Sequence, residues 1–222
     1  MKIRYKNNFG KFMHHDFAIT EVIAEVNDDE HKDALALGFV LRQGIWRQCR
    51  SVRIRLNETN YELLPDAKII KTFDYDQLMH INDQYLRKRN YTFNAHDVEI
   101  GDNHIVWGYH YKNKLIAWSK IYQYNNALES VYFAWDSCNM ELQLGINSLH
   151  HEIAWAKSLG YDFLYIGPGY EVCSKYKAQV EGFEFWDGEN WNLDKKTFLE
   201  LCDRETGINS FKSYQNLIYN AN

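Results

Sequence analysis

The sequence predicts a mixed α/β (α+β) fold, a mostly antiparallel sheet flanked by helices, and two observations carry that expectation. The run from Ser130 to Trp191 reads as strand, helix, strand, Gly-rich turn and Lys-rich segment without interruption. Upstream, short runs of apolar and aromatic residues are separated by turn signals, as hairpins require.

Within the first run, Ser130–Asp136 is apolar enough for a buried strand, and Asp136 with Ser137, Cys138 and Asn139 forms its polar end. A helix follows over residues 141–159. Leu142, Ile146, Leu149, Ile153 and Ala156 recur at helical spacing, Lys157 suits the last turn, and Gly160 supplies the left-handed stop. Tyr161–Ile166 is the next strand, broken by Gly167-Pro168-Gly169, and Val180–Trp186 is another before the Asp187-Gly188 turn.

In the N-terminal part, Ile19–Val26 reads as a short strand. Asn27-Asp28-Asp29-Glu30 starts a helix over His31–Leu37 that Gly38 stops. Phe39–Trp46 and Ser51–Leu56 read as strands, the second with Val52, Ile54 and Leu56 on one face and Ser51, Arg53 and Arg55 on the other. Arg42, Arg47 and Arg50 make this the densest positive region. Asp74–Arg89 is a helix with Leu78, Ile81 and Tyr85 as its buried stripe, residues 91–103 are a loop, and His104–Trp107 with Lys114–Tyr122 form a hairpin. Lys195–Cys202 is compatible with a helix. A division into residues 1–70, a small α/β region, and 71–222 is expected.

Composition narrows the class. With 222 residues the chain can bury a sizeable core, and its 45% hydrophobic residues are those of a globular protein. The expectation is a cytoplasmic protein without membrane association, because no uncharged apolar stretch is long enough to span a bilayer and the first residues are too polar for a signal-peptide core. Cys49, Cys138, Cys173 and Cys202 are scattered and form no C-x-x-C pair, so no metal site is expected. The pairs His14-His15 and His150-His151 lack the i, i+4 spacing of helical metal ligands. A net charge of −5 argues against a uniformly basic nucleic-acid surface but leaves room for a local patch.

Several segments together carry a resemblance: Tyr132-Phe133 leading to Asp136, Leu144-Gly145, Glu152-Ile153, Trp155-Ala156-Lys157, Leu159-Gly160, Leu164–Gly167, and Cys173-Ser174-Lys175-Tyr176-Lys177-Ala178. They resemble the C-terminal half of arginyl-tRNA protein transferases, which add an amino acid to a protein's N-terminal amine. Leu37-Gly38-Phe39, Gly44, Arg47 and Ser51–Ile54 resemble the first half. The resemblance implies a GNAT-like acyltransferase domain over 71–222, an aminoacyl-tRNA donor with no certain cofactor, and tRNA and an acceptor protein N-terminus as partners. Only Cys49 falls where the family carries a cysteine cluster, and the Lys175–Lys177 segment is shorter than the family's.

Chemistry is expected at the turn opening the central helix. Free N–H groups and the helix dipole there attract anions, which makes Gln143, Leu144, Gly145, Ile146, Asn147 and Ser148 candidates for donor binding, or else an ordinary helix start in which Gly145 admits a tight turn. Attack by a neutral amine on an activated ester needs positioning, a proton acceptor and oxyanion stabilisation. Asp136 is the candidate for binding or deprotonating the amine, or else a capping aspartate. Tyr165 and Tyr170, flanking Gly167, are candidate proton donors or packing residues, and Lys175, Lys177, Arg53, Arg55 and Gly167 are candidates for substrate contact. Two alternatives stand beside this reading: an acyl-coenzyme A donor acting on a small amine, with Leu142 and Asn147 departing from the usual coenzyme A pattern, and a catalytically silent relative that binds a partner.

Overall fold

The computed structural model describes the backbone of residues 1–12, 15–90, 98–136 and 142–205, and the side chains of all these except 8–12 and 15–19. The expected turn at Ser137–Asn139, Cys138, His14 and the 91–97 part of the expected loop lie outside the described residues. The chain divides into two compact units, Met1–Val52 with Pro168–Asn222, and Arg53–Gly167.

In the first unit, strands β1 (Lys2–Phe12) and β2 (His15–Glu25) form a long antiparallel hairpin, and β3 (Phe39–Arg42) and β4 (Ile45–Gln48) complete a sheet of order β1-β2-β4-β3. The stretch expected as one strand, Phe39–Trp46, is split because Gln43 and Gly44 both take positive φ, the geometry of a two-residue hairpin turn. Helix α1 (His31–Ala36) is entered through a capping box between Asn27 and Glu30, and Glu30 also pairs with the Met1 ammonium.

The rest of this unit holds a 3-10 helix (Val172–Gln179), the hairpin β11 (Phe183–Trp186) and β12 (Trp191–Asn192), and helix α4 (Lys195–Arg204). The Asp194 side chain caps α4 by accepting from the N–H groups of Lys196 and Thr197. Phe183, Phe185 and Phe198 cluster at ring separations of 4.9 to 6.1 Å, and Gly169 lies so close that a Cβ there would stand 2.5 Å from Phe198.

The second unit is built on strands in the order β5-β10-β9-β8-β7-β6: β5 (Ser51–Arg55), β6 (Ala67–Ile69), β7 (His104–Tyr111), β8 (Lys114–Gln123), β9 (Leu128–Trp135) and β10 (Phe163–Pro168). The β6-β7, β7-β8 and β8-β9 pairs are antiparallel and β9-β10 is parallel, so the sheet is mixed and antiparallel-rich, as expected from the sequence. The β7-β8 turn is Lys112-Asn113, both at left-handed φ.

Helix α2 (Tyr75–Arg89), capped by Asp74 and stopped by Asn90 at φ 55°, covers one sheet face with Leu78 and Ile81 against Val106, Leu115, Trp118 and Ala134. The Trp118 indole N–H donates to the Leu78 carbonyl at 3.1 Å. Helix α3 (Leu144–Ser158) covers the other, where Trp107 meets both His151 and Trp155 edge to face. α3 begins at Leu144 rather than 141, because Gln143 adopts φ 47° and breaks the helical course.

In β5, Ser51, Val52, Arg53 and Ile54 are all buried, and the Arg53 guanidinium lies 3.8 Å from the centre of the Phe163 ring. Central strands of a covered sheet are buried on both faces, so alternation does not mark an outside there.

The crowding at Gly169 yields a stability test. Replacing Gly169 by Ala forces Phe198 and Val52 apart and should destabilise the protein by about 1–3 kcal/mol in chemical denaturation. Unchanged stability would contradict the close packing described.

Candidate active site

Parallel pairing of β9 with β10 requires a crossover, and α3 supplies it. The crossover places the N-terminal mouth of α3 toward the C-terminal end of β9, where Asp136 emerges. A Cβ at Gly145 would lie 3.8 Å from Phe133 of β9, so the mouth sits over that strand without crowding.

At the mouth, Gln143 occupies the left-handed region, uncommon for a residue with a long side chain, and its carbonyl accepts from the N–H groups of Ile146 and Asn147, both at 3.1 Å. Leu144 and Gly145 stand too early in the helix to have intrahelical acceptors for their N–H groups. No acidic residue stands in the first turn. Asn147 turns its side-chain amide back to the Leu142 carbonyl at 2.9 Å, and the Ser148 hydroxyl donates to the Gly145 carbonyl at 3.1 Å, both tightening the turn.

Asp136 is 8% exposed. Its N–H donates to the Ile116 carbonyl at 2.7 Å, and its carboxylate stands 3.6 Å from the Lys114 ammonium. Lys114 itself is largely solvated. Asp136, Lys114 and the mouth of α3 therefore gather at one end of the sheet, next to the β7-β8 turn.

Tyr165 is buried in β10 and its register partner is Glu129, seven residues before Asp136, which is roughly 20 Å along a strand. Gly167 takes φ 71° at the end of the same strand. Arg53 is buried against Phe163, as described, and Arg55 pairs with Glu58 at 3.2 Å.

Tyr170, Lys175 and Lys177 belong to the first unit. The Tyr170 hydroxyl accepts from the Arg50 N–H at 2.9 Å and burial raises its pKa. Lys175 is ion-paired with Asp203 at 2.5 Å, and Lys177 donates to the Pro168 carbonyl at 2.8 Å. Among the described residues, no cluster of three or more His, Cys, Asp or Glu side chains could hold a metal ion.

A polar cluster that the sequence reading passed over lies beneath α3. Glu152 is 2% exposed and hydrogen-bonds with Tyr109 of β7, Ser119 of β8 and Ser130 of β9. Burial outweighs those bonds and lifts its pKa from 4.5 to about 7. Beside it, burial lowers the pKa of His151 to about 4. Its Nδ1 accepts from the Leu64 N–H at 3.0 Å, so Nε2 carries the proton. A signal for this cluster existed: Glu152 falls three residues after Leu149 and four before Ala156, inside the apolar stripe.

The family description "Arginine-tRNA-protein transferase, C terminus" matches residues 72–187, which include α2, β7–β10 and α3. The chain belongs to that family. An aspartate/glutamate leucyltransferase from Alcanivorax borkumensis is 32% identical over 95 residues, 42% of this chain and 39% of its own length, so the chain matches well under half of that relative. Among solved structures, a GCN5-related N-acetyltransferase from Kribbella flavida aligns with TM-score 0.38 and 10% identity over 59% of this chain and 49% of its own. The C-terminal domain of a lysylphosphatidylglycerol synthetase from Agrobacterium fabrum, itself described as provisional in that assignment, aligns with TM-score 0.38 and 11% identity over 64% and 52%. No described helix is long and apolar enough to cross a membrane.

The two adjacent buried groups make opposite demands on pH. Glu152 binds its proton more tightly folded than unfolded, so its contribution to stability is present below pH 4.5 and is lost as pH rises toward about 7. His151 binds its proton less tightly folded, so its contribution is present above pH 6.5 and is lost as pH falls toward about 4. Glu152→Gln removes the first effect alone. The variant's stability relative to the native protein should climb from near parity at pH 4.5 by about 3 kcal/mol at pH 8, read by denaturant melts. A difference independent of pH would show that Glu152 carries no buried charge.

Proposed function

We propose that this protein transfers an aminoacyl group from an aminoacyl-tRNA to the N-terminal amine of a protein. The observation that carries the proposal is the family match over residues 72–187, which spans both the mouth of α3 and Asp136. The name of the leucyltransferase relative supports a finer reading, transfer of a leucyl group to an acidic N-terminal residue.

In the reaction the amine nitrogen attacks the ester carbonyl carbon, the new C–N bond forms and the ester C–O bond to the ribose breaks. The proton lost by the amine ends on the departing ribose oxygen. Asp136 is assigned the binding of the acceptor amine and the acceptance of its proton, with Lys114 holding the carboxylate in place. The N–H groups of Leu144 and Gly145 are assigned the donor's developing oxyanion or phosphate, which the helix dipole favours. Tyr170, Arg53, Arg55, Lys175 and Lys177 are assigned to the scaffold, since each described contact ties the residue to its own surroundings, and Tyr165 and Gly167 are assigned to it by their places along β10. The coenzyme A reading is favoured by the acid-free helix mouth alone.

Purified protein incubated with leucyl-tRNA and a peptide with an N-terminal aspartate should yield leucylated peptide, with a known transferase alongside as control. Asp136→Asn should lower kcat by about 100-fold or more while the melting temperature stays near the native value. Absence of labelled peptide, with acetyl-coenzyme A raising the melting temperature instead, would overturn the reading in favour of the coenzyme A donor.

A further inference from the structure

The β7-β8 turn carries exposed cations on a chain of net charge −5. Tyr111-Lys112-Asn113-Lys114 stands at the end of the hairpin, and Lys68 of β6 is carried alongside because Lys68 pairs in register with Gly108. Asp66, Lys68, His110, Lys112 and Asn113 line an open, polar-walled cavity of about 530 Å³. Both lysines are solvent-exposed, and neither is ion-paired among the described residues. Tyr111 is 39% exposed, and the Lys112 ammonium lies 5.0 Å from the centre of its ring.

The main chain around this feature is fixed. The His110 N–H donates to the Asp66 carbonyl at 3.2 Å, tying the strand end to the segment before β6. A register shift between Tyr109 and His110 turns the end of the hairpin, and the same stretch of β8 receives the Asp136 N–H at Ile116. Lys114, at the base of the turn, is the residue that pairs with Asp136. An exposed aromatic ring, two unpaired ammonium groups and a polar hollow thus stand one ion pair away from the proposed acceptor of the amine proton.

We infer that the end of the β7-β8 hairpin, with Lys68, is a contact surface for the single-stranded end of the RNA donor, Lys68 and Lys112 meeting phosphates and Tyr111 stacking on a base. This deepens the aminoacyl-tRNA reading and rests on it. Cations on a phosphodiester backbone release counterions and aromatic rings stack on unpaired bases, so the two contributions differ in their salt dependence. The carboxylate of Asp66 on the same wall disfavours phosphate at that side, which directs the backbone toward Lys112.

Fluorescence anisotropy with labelled deacylated tRNA, titrated between low and physiological salt, tests the inference on the full chain. Lys68→Gln with Lys112→Gln should weaken binding about ten-fold at low salt and flatten the plot of log affinity against log salt by about 1.4. Tyr111→Ala should weaken binding about five-fold or more with the slope unchanged. Lys88→Gln with Arg89→Gln, two exposed cations at the end of α2, serves as the charge-matched control, and thermal melts confirm that all variants fold. Native affinity and slope in the double variant, or no tRNA binding by the native protein, would overturn the surface. The parent reading fails separately: tRNA binding through these residues without peptide labelling sinks the transfer and leaves the surface, whereas labelling with an unaltered donor KM in the double variant sinks the surface and leaves the transfer.

Discussion

The parallel pairing of β9 and β10 is the constraint from which the arrangement of the second unit's candidate site follows. Two parallel strands cannot be joined by a turn, so the chain must cross back over the sheet, and it does so as α3. A helix that returns in this way presents its free N–H groups toward the C-terminal end of the strand it left. Asp136 is placed there by β9, and Lys114 by the antiparallel neighbour β8. Each element contributes one piece for its own local reason, and the strand order brings the pieces together.

The crossover also has to be packed. α3 buries more than its apolar stripe, because His151 and Glu152 are driven under it and meet Tyr109, Ser119 and Ser130 on the sheet. A carboxyl in that layer is tolerable only when hydroxyls replace its water. The layer is accordingly polar at its middle and apolar around it, with Trp107 packed against His151. The neutral His151 and the readily protonated Glu152 let the helix dock with little buried charge.

Local signals in the sequence were strong where backbone chemistry is local. Asp74 and Asp194 cap the helices they precede, Asn27 and Glu30 form their capping box, and Gly160 ends α3 in the left-handed conformation. The α/β class and most elements could be read from such signals and from periodicity. The difference came where two segments meet: Phe39–Trp46 divides because Gln43, not an obvious turn residue, takes positive φ beside Gly44, and the packing of Arg53 on Phe163 joins strands more than a hundred residues apart. Of the expected site residues, Asp136 and Gln143–Ser148 converge, while Tyr165 lies a strand's length away and Lys175 and Lys177 are engaged with Asp203 and Pro168.

By itself the sequence determined the mixed α/β class, the helix borders set by caps and glycines, and the family, because each is written in residue types at short spacing. The tertiary structure alone decided which charges are free and which are spent. Lys112 and Lys175 are equally cationic in the sequence, yet among the described residues one makes no ion pair on its hairpin end and the other is held by an aspartate 28 residues away. That difference depends on strand register and helix docking, and no short-range pattern encodes it.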